Sequence, residues 1–393
     1  MLVGSCITPP AARRRAAVAL AEQHPREFVH TSVEILKGAV LGWNLGNSLD
    51  ASPDETGWGN PPTTPELMKG VAKAGFGLVR IPVTWSNHMG PAPDFVIDPS
   101  WLARVGEIVD YARAADLYVV INLHHDGADG SKGVQWIALK DEAGNITEAN
   151  NAAVKARFIA VWTQIAKHFA GYGEELLFES MNEVHDGYGP PNPAYFPIIN
   201  QLNQEFVRVV RASGGNNGKR HLVVPGYNTS IEHTLAGFQL PADTIPNRLI
   251  LSVHFYDPYL FSLMGQTHTW GRSSPGNDNW GQEDFVVKQF DKVKASFVDK
   301  GVPVLLGEYG ATLQEGFEDY RRYYLEYVTK AAIDRGMFPV WWDNGGTGSG
   351  GDKFAMLDRK SGNVLHPELL AALRRAATNA YSLAQIELPK PSK

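Results

Sequence analysis

The sequence predicts an α/β fold, a single-domain (β/α)8 TIM barrel, on three observations. Short apolar runs alternate with amphipathic stretches eight times, polar side chains gather where those runs end, and the first run does not lead into a glycine-rich phosphate turn. The apolar or β-branched runs are 39–45, 78–82, 118–123, 176–181, 221–225, 249–255, 302–306 and 337–342. The stretches 64–75, 100–115, 152–170, 196–213, 229–237, 282–300, 317–335 and 366–379 carry apolar residues at helical spacing.

Strands separated by helices pair in parallel, because a parallel crossover needs a connection of that length. Eight such units close into a barrel. An open doubly wound sheet is the alternative, but Gly42-Trp43-Asn44-Leu45-Gly46-Asn47 lacks the dinucleotide-binding glycine spacing. Helix starts are marked by Thr64-Pro65-Glu66, by Ser100 before Trp101 and by His366-Pro367-Glu368. Gly75, Gly171, Gly214, Gly301 and Gly336 mark helix ends.

Composition narrows the function. Hydrophobic residues at 44% and charged residues at 20% describe a chain that buries a core, and 393 residues suit one large barrel with long loops. The net charge of −6, without a Lys/Arg patch beyond the first fifteen residues, argues against a nucleic-acid partner. No apolar run is long enough to span a membrane. A lone cysteine, Cys6, gives neither a disulfide framework nor a CxxC motif. Ten Trp residues, several beside Asn, Gly or Asp, suggest rings held at a surface, where flat aromatic faces suit sugars.

In a barrel enzyme the chemistry sits at the strand ends. Here the second run ends in Val79-Arg80-Ile81-Pro82, the third in Asn122-Leu123-His124-His125-Asp126 and the fourth in Ser180-Met181-Asn182-Glu183. The sixth runs into His254-Phe255-Tyr256-Asp257, the seventh into Gly307-Glu308-Tyr309 and the eighth into Trp341-Trp342-Asp343-Asn344. Arg80 alone reads as an ion-pair partner, and His124 or His125 alone as a hydrogen-bonded interior histidine. Glu183 and Glu308 are different, because a carboxylate at the inward end of a buried strand is expensive unless paired or used. Two carboxylates facing each other across a barrel mouth are what glycoside hydrolysis requires, and a gap of about 5–5.5 Å between them marks the retaining mechanism.

The Asn182-Glu183 pair and Glu308 resemble the acid/base and nucleophile signatures of the (β/α)8 retaining glycosidases. Together with Gly42 to Asn47, Trp58-Gly59-Asn60-Pro61, Val79 to Pro82, His124-His125, His254-Phe255-Tyr256 and Trp342 to Gly345, they resemble glycoside hydrolase family 5, over about residues 38–375. The resemblance implies an endo-β-1,4-glucanase acting on cellulose or a related β-glucan, without cofactor or metal; xyloglucan, mixed-linkage glucan and mannan are alternative substrates. It implies Glu183 as acid/base, Glu308 as nucleophile, and Arg80 and Tyr256 as its supports. Asn182 is expected on the sugar 2-hydroxyl, with His124 and His254 completing the polar shell and Trp342 the stacking floor. Asn44, Trp58 and His125 are expected to contact sugars further along. Trp341 is expected to point away from Trp342, as strand neighbours do. The sequence departs from many family members in having Val184, not Pro, after the acid/base. The long connections 126–150 and 257–281, the latter carrying Tyr259, Trp270 and Trp280, are expected to wall the cleft.

Rival readings are weaker. A metal-dependent hydrolase could use His124, His125, Asp126 and His254, but adjacent strand histidines point to opposite faces. The glycine-rich 345–351 loop lacks a Walker-type ending. A non-catalytic carbohydrate-binding barrel needs no nucleophile. Residues 1–37 are expected to form a leader or linker, 38–380 the catalytic domain and 381–393 a tail. Leu2-Val3-Gly4-Ser5-Cys6 resembles the end of a lipoprotein signal but lacks the charged and apolar segments before it. The expectation is a monomer, secreted or held at the cell surface, with Cys6 as one route to anchoring.

Overall fold

The computed structural model describes residues 25–127, 135–271, 274 and 280–390; the reading of Cys6 lies outside them. Eight parallel strands close in sequence order: β1 (Gly42–Leu45), β2 (Leu78–Ile81), β3 (Tyr118–Asn122), β4 (Leu176–Glu179), β5 (Leu222–Ser230), β6 (Leu249–Phe255), β7 (Val304–Tyr309) and β8 (Met337–Asp343). Helices α2 (Pro65–Lys73), α3 (Pro99–Ala114), α4 (Glu148–His168), α5 (Tyr195–Ala212), α6 (Ile231–Gly237), α8 (Glu283–Ser296), α9 (Glu318–Ile333) and α10 (Pro367–Thr378) follow the strands in turn. The short α7 (Tyr259–Ser262) lies in the connection after β6. Thr64 caps α2 and Asp98 caps α3, each with Pro in the first turn.

Strand parity separates two cores. Leu78, Val120, Leu177, Val223, Ile250, Leu305, Phe338 and Val340 point inward and pack together. Their neighbours Val79, Ile121, Phe178, Leu251, Leu306 and Trp341 point outward, into the shell between strands and helices. Two residues further along β2, β3, β4 and β8, the same inward parity presents Arg80, Asn122, Glu179 and Trp342, so a polar layer lies directly above the apolar one.

The folded body begins earlier than the expected boundary at residue 38. Helix α1 (Ser32–Ala39) opens with a capping box between Thr31 and Glu34, and buries Leu36 and Ala39 against the inward apolar layer, closing the N-terminal end of the barrel. Gly77 admits it, since a Cβ there would lie 2.4 Å from the Ala39 carbonyl oxygen. Ahead of α1, Val29 and His30 donate backbone N–H groups to Glu174 at 2.9 and 3.1 Å. The segment expected as a tail also docks. Tyr381 donates to Glu326 at 2.9 Å, and Ile386 is buried.

Arg220, wholly buried before β5, holds the same end of the barrel. Its five N–H donors meet Asn217 Oδ1 and the carbonyls of Gly173, Leu176, Phe169 and Tyr172 at 2.7–3.2 Å. The four carbonyls lie at the α4 end, on its connection to β4 and at the first residue of β4, so one side chain joins two βα units. Arg220→Met is expected to leave several buried acceptors unpaired and to lower stability by about 3–5 kcal/mol, read from the denaturant midpoint. Arg220→Lys, with one compact donor group, is expected to recover less than half of that loss; full recovery by Lys would refute the five-donor account.

Candidate active site

Arg80 is the hub of the polar layer. No part of its side chain reaches solvent. Nε donates to Glu179 Oε2 at 2.7 Å, Nη1 to Glu308 Oε1 at 2.7 Å and Asn44 Oδ1 at 3.0 Å, and Nη2 to Asn182 Oδ1 at 2.8 Å. The hydroxyl of Tyr256 donates to the other oxygen of Glu308 at 3.1 Å. Burial and the charges of Glu308 and Glu183 raise the Tyr256 pKa well above the usual tyrosine range, which keeps this group a donor.

Glu308 reaches this position through a bulge. On β6 and β7, Val253 pairs with Leu306, yet the next residue, His254, pairs with Glu308, so Gly307 is the extra residue. Simple alternation from Leu305 would turn Glu308 outward; the bulge turns it into the mouth. Gly307 must be glycine, because a Cβ there would stand 2.7 Å from Ser252 Oγ and 3.2 Å from His254 Nε2.

Glu183 follows β4 and meets His254 Nδ1 at 2.6 Å, with Thr229 Oγ1 at 3.4 Å. Its side chain is 30% exposed against 7% for Glu308, so Glu183 is the carboxyl open to the cleft. Oxygens of the two glutamates and a ring nitrogen of His254 lie within 4.8 Å of one another. Burial raises the Glu308 pKa, against the attraction of His254 and Arg80 and with the help of the Glu183 charge. Burial acts the same way on Glu183, but the hydrogen bond and charge of His254 outweigh it and the pKa is lowered. Two carboxyls so close titrate as a unit, which holds one proton across the window between its two steps.

The remaining expected residues divide. Asn182 faces His124 Nε2 at 3.4 Å, and His124 lies parallel to Trp342, ring centroids 5.9 Å apart. Trp342 lines the cleft while Trp341 is buried outside the barrel, as parity requires. Trp58 tilts over His125 at 5.4 Å, and Asn60 ties the Trp58 loop to the carbonyls of Asn47 and Asn344 at 2.8 and 3.0 Å. Asn44 is a correction: it is completely buried beneath the cleft, donating to the Gly307 carbonyl at 2.9 Å and accepting from Arg80, and contacts no space a sugar can enter. Trp270 is another, since it is buried, donates to the Gly281 carbonyl at 2.8 Å and packs among Tyr323, Tyr324 and Tyr327; Tyr259 and Trp280 do line the cleft.

The argument that His124 and His125 face apart also fails. Strand β3 ends at Asn122, and both rings line the cleft, 4.6 Å apart edge to face. With Asp50 they bring potential ligand atoms within 4.8 Å of one another. Those atoms have other work: Asp50 accepts from the backbone of Asn47 and Ser48, and both ring nitrogens of His124 face asparagine amides. Asp126 is buried, bonded to Trp85 N and Trp136 Nε1 at 3.0 and 2.8 Å. Sequence reasoning missed Glu179, although its inward parity with Leu177 was readable, and it missed Asp50. Tyr188, an exposed ring on the rim, carried no sequence signal.

The cleft above these groups has a volume of about 1270 Å3. The sequence matches the family described as Cellulase (glycosyl hydrolase family 5) over residues 44–348. Endoglucanase A of Paenibacillus barcinonensis is 39% identical over 367 residues, covering 87% of this chain and 89% of that protein. A solved structure described as a GH5-4 broad specificity endoglucanase from Bacteroides salanitronis superposes with a TM-score of 0.85 at 42% identity, covering 91% of this chain and 98% of that one. A family 5 xyloglucanase from Paenibacillus pabuli, solved with a ligand, gives 0.80 at 40% identity over 88% of this chain and 100% of that one.

The different places of Asn44 and Trp58 predict different failures. In a Glu308→Gln background, Trp58→Ala is expected to weaken cello-oligosaccharide binding by about tenfold in calorimetry, the worth of one aromatic face. Asn44→Ala is expected to leave that affinity within about twofold while lowering the melting temperature, because it removes a buried partner of Arg80. A large affinity loss at Asn44 would restore it as a sugar contact.

Proposed function

Because the chain belongs to glycosyl hydrolase family 5, we propose that it is a retaining, endo-acting hydrolase of β-1,4-linked glucan, with Glu183 as general acid/base and Glu308 as nucleophile. The observation that carries the reading is the pair itself, two carboxyls with oxygens within 4.8 Å, one open to the cleft and the other held from below by Arg80 and Tyr256. That closeness suits direct attack, since retaining enzymes hold their carboxyls about 5–5.5 Å apart and inverting ones about 6.5–9.5 Å.

Each step follows from position. Glu308 attacks the anomeric carbon while Glu183 gives its proton to the departing glycosidic oxygen, so the glycosidic C–O bond breaks as the ester bond forms. Glu183, now a carboxylate, takes a proton from water as that water attacks the same carbon and releases Glu308. In the free protein burial favours the proton on Glu308 and the His254 hydrogen bond favours the anion at Glu183; the assigned roles need the reverse arrangement, towards which the hydrogen bonds from Arg80 and Tyr256 to Glu308 work. Asn182, oriented by Arg80, is the group we assign to the sugar 2-hydroxyl, and Trp342 to the sugar face. The cleft exceeds the usual size of a small-ligand pocket, and aromatic rings stand at Trp58 on one rim and at Tyr188, Tyr259 and Trp280 on others. That breadth supports binding within a chain rather than at its end, and it favours xyloglucan as a second substrate. One chain supplies the whole site, in support of a monomer. Polymeric glucan does not cross membranes, which supports a secreted or cell-surface location.

Reducing-sugar release from carboxymethyl cellulose, mixed-linkage glucan, xyloglucan and mannan tests the assignment. The parent is expected to cut the β-1,4-glucans, and Glu308→Ala to be silent on all. Glu183→Ala is expected to lose about 10²–10⁴-fold on polysaccharide but far less on an aryl glycoside whose leaving group needs no proton. Equal losses on both substrates would remove Glu183 from the acid role.

The pH dependence follows from the pair. Below the lower step both carboxyls carry a proton and Glu308 cannot attack; above the upper step neither does and Glu183 has none to give. A bell-shaped kcat/KM is expected, and Glu183→Gln, assayed on the aryl glycoside, is expected to keep the acidic limb and lose the basic one. A basic limb that survives in Glu183→Gln would assign it to another group.

A further inference from the structure

Glu179 sits in the polar layer without touching the cleft. It is wholly buried, and its Oε2 accepts from Arg80 Nε at 2.7 Å and Asn122 Nδ2 at 2.9 Å. Its Oε1 has no hydrogen-bond partner among the described residues. A side chain kept for hydrogen bonding alone would not leave a buried carboxylate oxygen unpaired, since that costs stability and a neutral amide could accept the same two bonds. What a carboxylate adds is charge.

We propose that Glu179 is a positioning residue that neutralises Arg80, so that the guanidinium orients Glu308 without quenching its negative charge. The proposal rests on the reading of Glu308 as nucleophile. Burial alone would lower the Arg80 pKa, and it is raised by Glu179 first and by Glu308 second. The charged or titratable groups facing Glu308 are Arg80 from β2, Glu183 after β4, His254 from β6, Tyr256 just after it and, further off, Asp50 after β1, while Glu179 on β4 stands against Arg80. With one proton on the glutamate pair, Arg80 and Glu179 cancel, and the mouth keeps one negative charge against the oxocarbenium-like transition state. Remove the Glu179 charge and Arg80 cancels the nucleophile instead. Glu308 then becomes a weaker base and a poorer nucleophile while its geometry hardly changes.

The test is E179Q, which keeps shape and loses charge, with E179D as the conservative rescue. On a soluble β-glucan oligosaccharide that the parent cuts, E179Q is expected to move the acidic limb of kcat/KM down by about one pH unit and to lower kcat by about tenfold, with KM within about twofold. E179D, which keeps the charge, is expected to leave the limb in place. The position of a limb does not depend on how much of a preparation is folded, so a poor yield of E179Q still reports. A limb unmoved in E179Q, with only the melting temperature lowered, makes Glu179 a structural carboxylate and overturns the proposal, as does failure of both E179Q and E179A to fold. If Glu308→Gln retains activity, the nucleophile assignment fails first and the proposal with it, a result distinct from an unmoved limb in E179Q.

Discussion

The structure turns on the burial of one guanidinium. Taking an arginine wholly out of water costs several kcal/mol, and the cost is offset only when its donors meet well-placed acceptors. Those of Arg80 come from β1, β4, the end of β4 and β7, as Asn44, Glu179, Asn182 and Glu308. No two adjacent strands could supply them. The charge is satisfied only after the sheet has closed, so barrel closure and assembly of the site are one event. Below Arg80 the inward layer is entirely apolar and sealed by α1, which keeps water from reaching the guanidinium from underneath.

The second constraint is the bulge at Gly307. The residues flanking it on β7, Leu306 and Tyr309, belong to the outer apolar shell, and an unbroken strand would deliver Glu308 to that same shell. A carboxylate there would have neither Arg80 nor Tyr256. One inserted residue, paired to nothing across the ladder, exchanges a ladder position for a side chain aimed at the barrel axis. The absence of a side chain at Gly307 is part of the device, since Ser252 and His254 occupy the space a Cβ would need.

These features explain what the sequence could and could not disclose. The eight strands were legible because each is a short apolar run between helices of the right period, and their expected ends lie close to the observed ones except at β7, which runs on through the bulge to Tyr309, and at β5, which runs on to Ser230 through two left-handed residues, Asn228 and Thr229. Helix α1 escaped because it is short and buries few apolar side chains, so its period barely shows. Asn44 was misplaced because a motif says which residues occur together and not at what height along the barrel they sit. Glu179 was passed over because attention fell on the polar residues that end the run, whereas parity with Leu177 already put it inside. The separation of Glu183 and Glu308 was beyond reach, because it depends on a bulge that no local residue pattern announces.

Strands and loops divide the labour in a way that bears on substrate range. The glutamate pair and its hydrogen-bond partners stand on β2, β4, β6 and β7 or directly at their ends, fixed by the barrel itself. The rings that line the cleft further out stand on loops, and the connections after β3, β6 and β8 are moored by buried side chains. Trp270 pins the connection after β6 against α9, and Asp343 gathers Trp43 Nε1 and the backbone of Met356 and Leu357 to hold the connection after β8. Asp126 does the same for the loop after β3 through Trp85 and Trp136. A change in a rim loop therefore alters which glucan fits without disturbing Arg80 or the glutamates. The similar proteins are described as endoglucanases in some cases and as a xyloglucanase in another. A branched glucan and a bare one would meet the same glutamates in this cleft and differ only in what they meet on the loops.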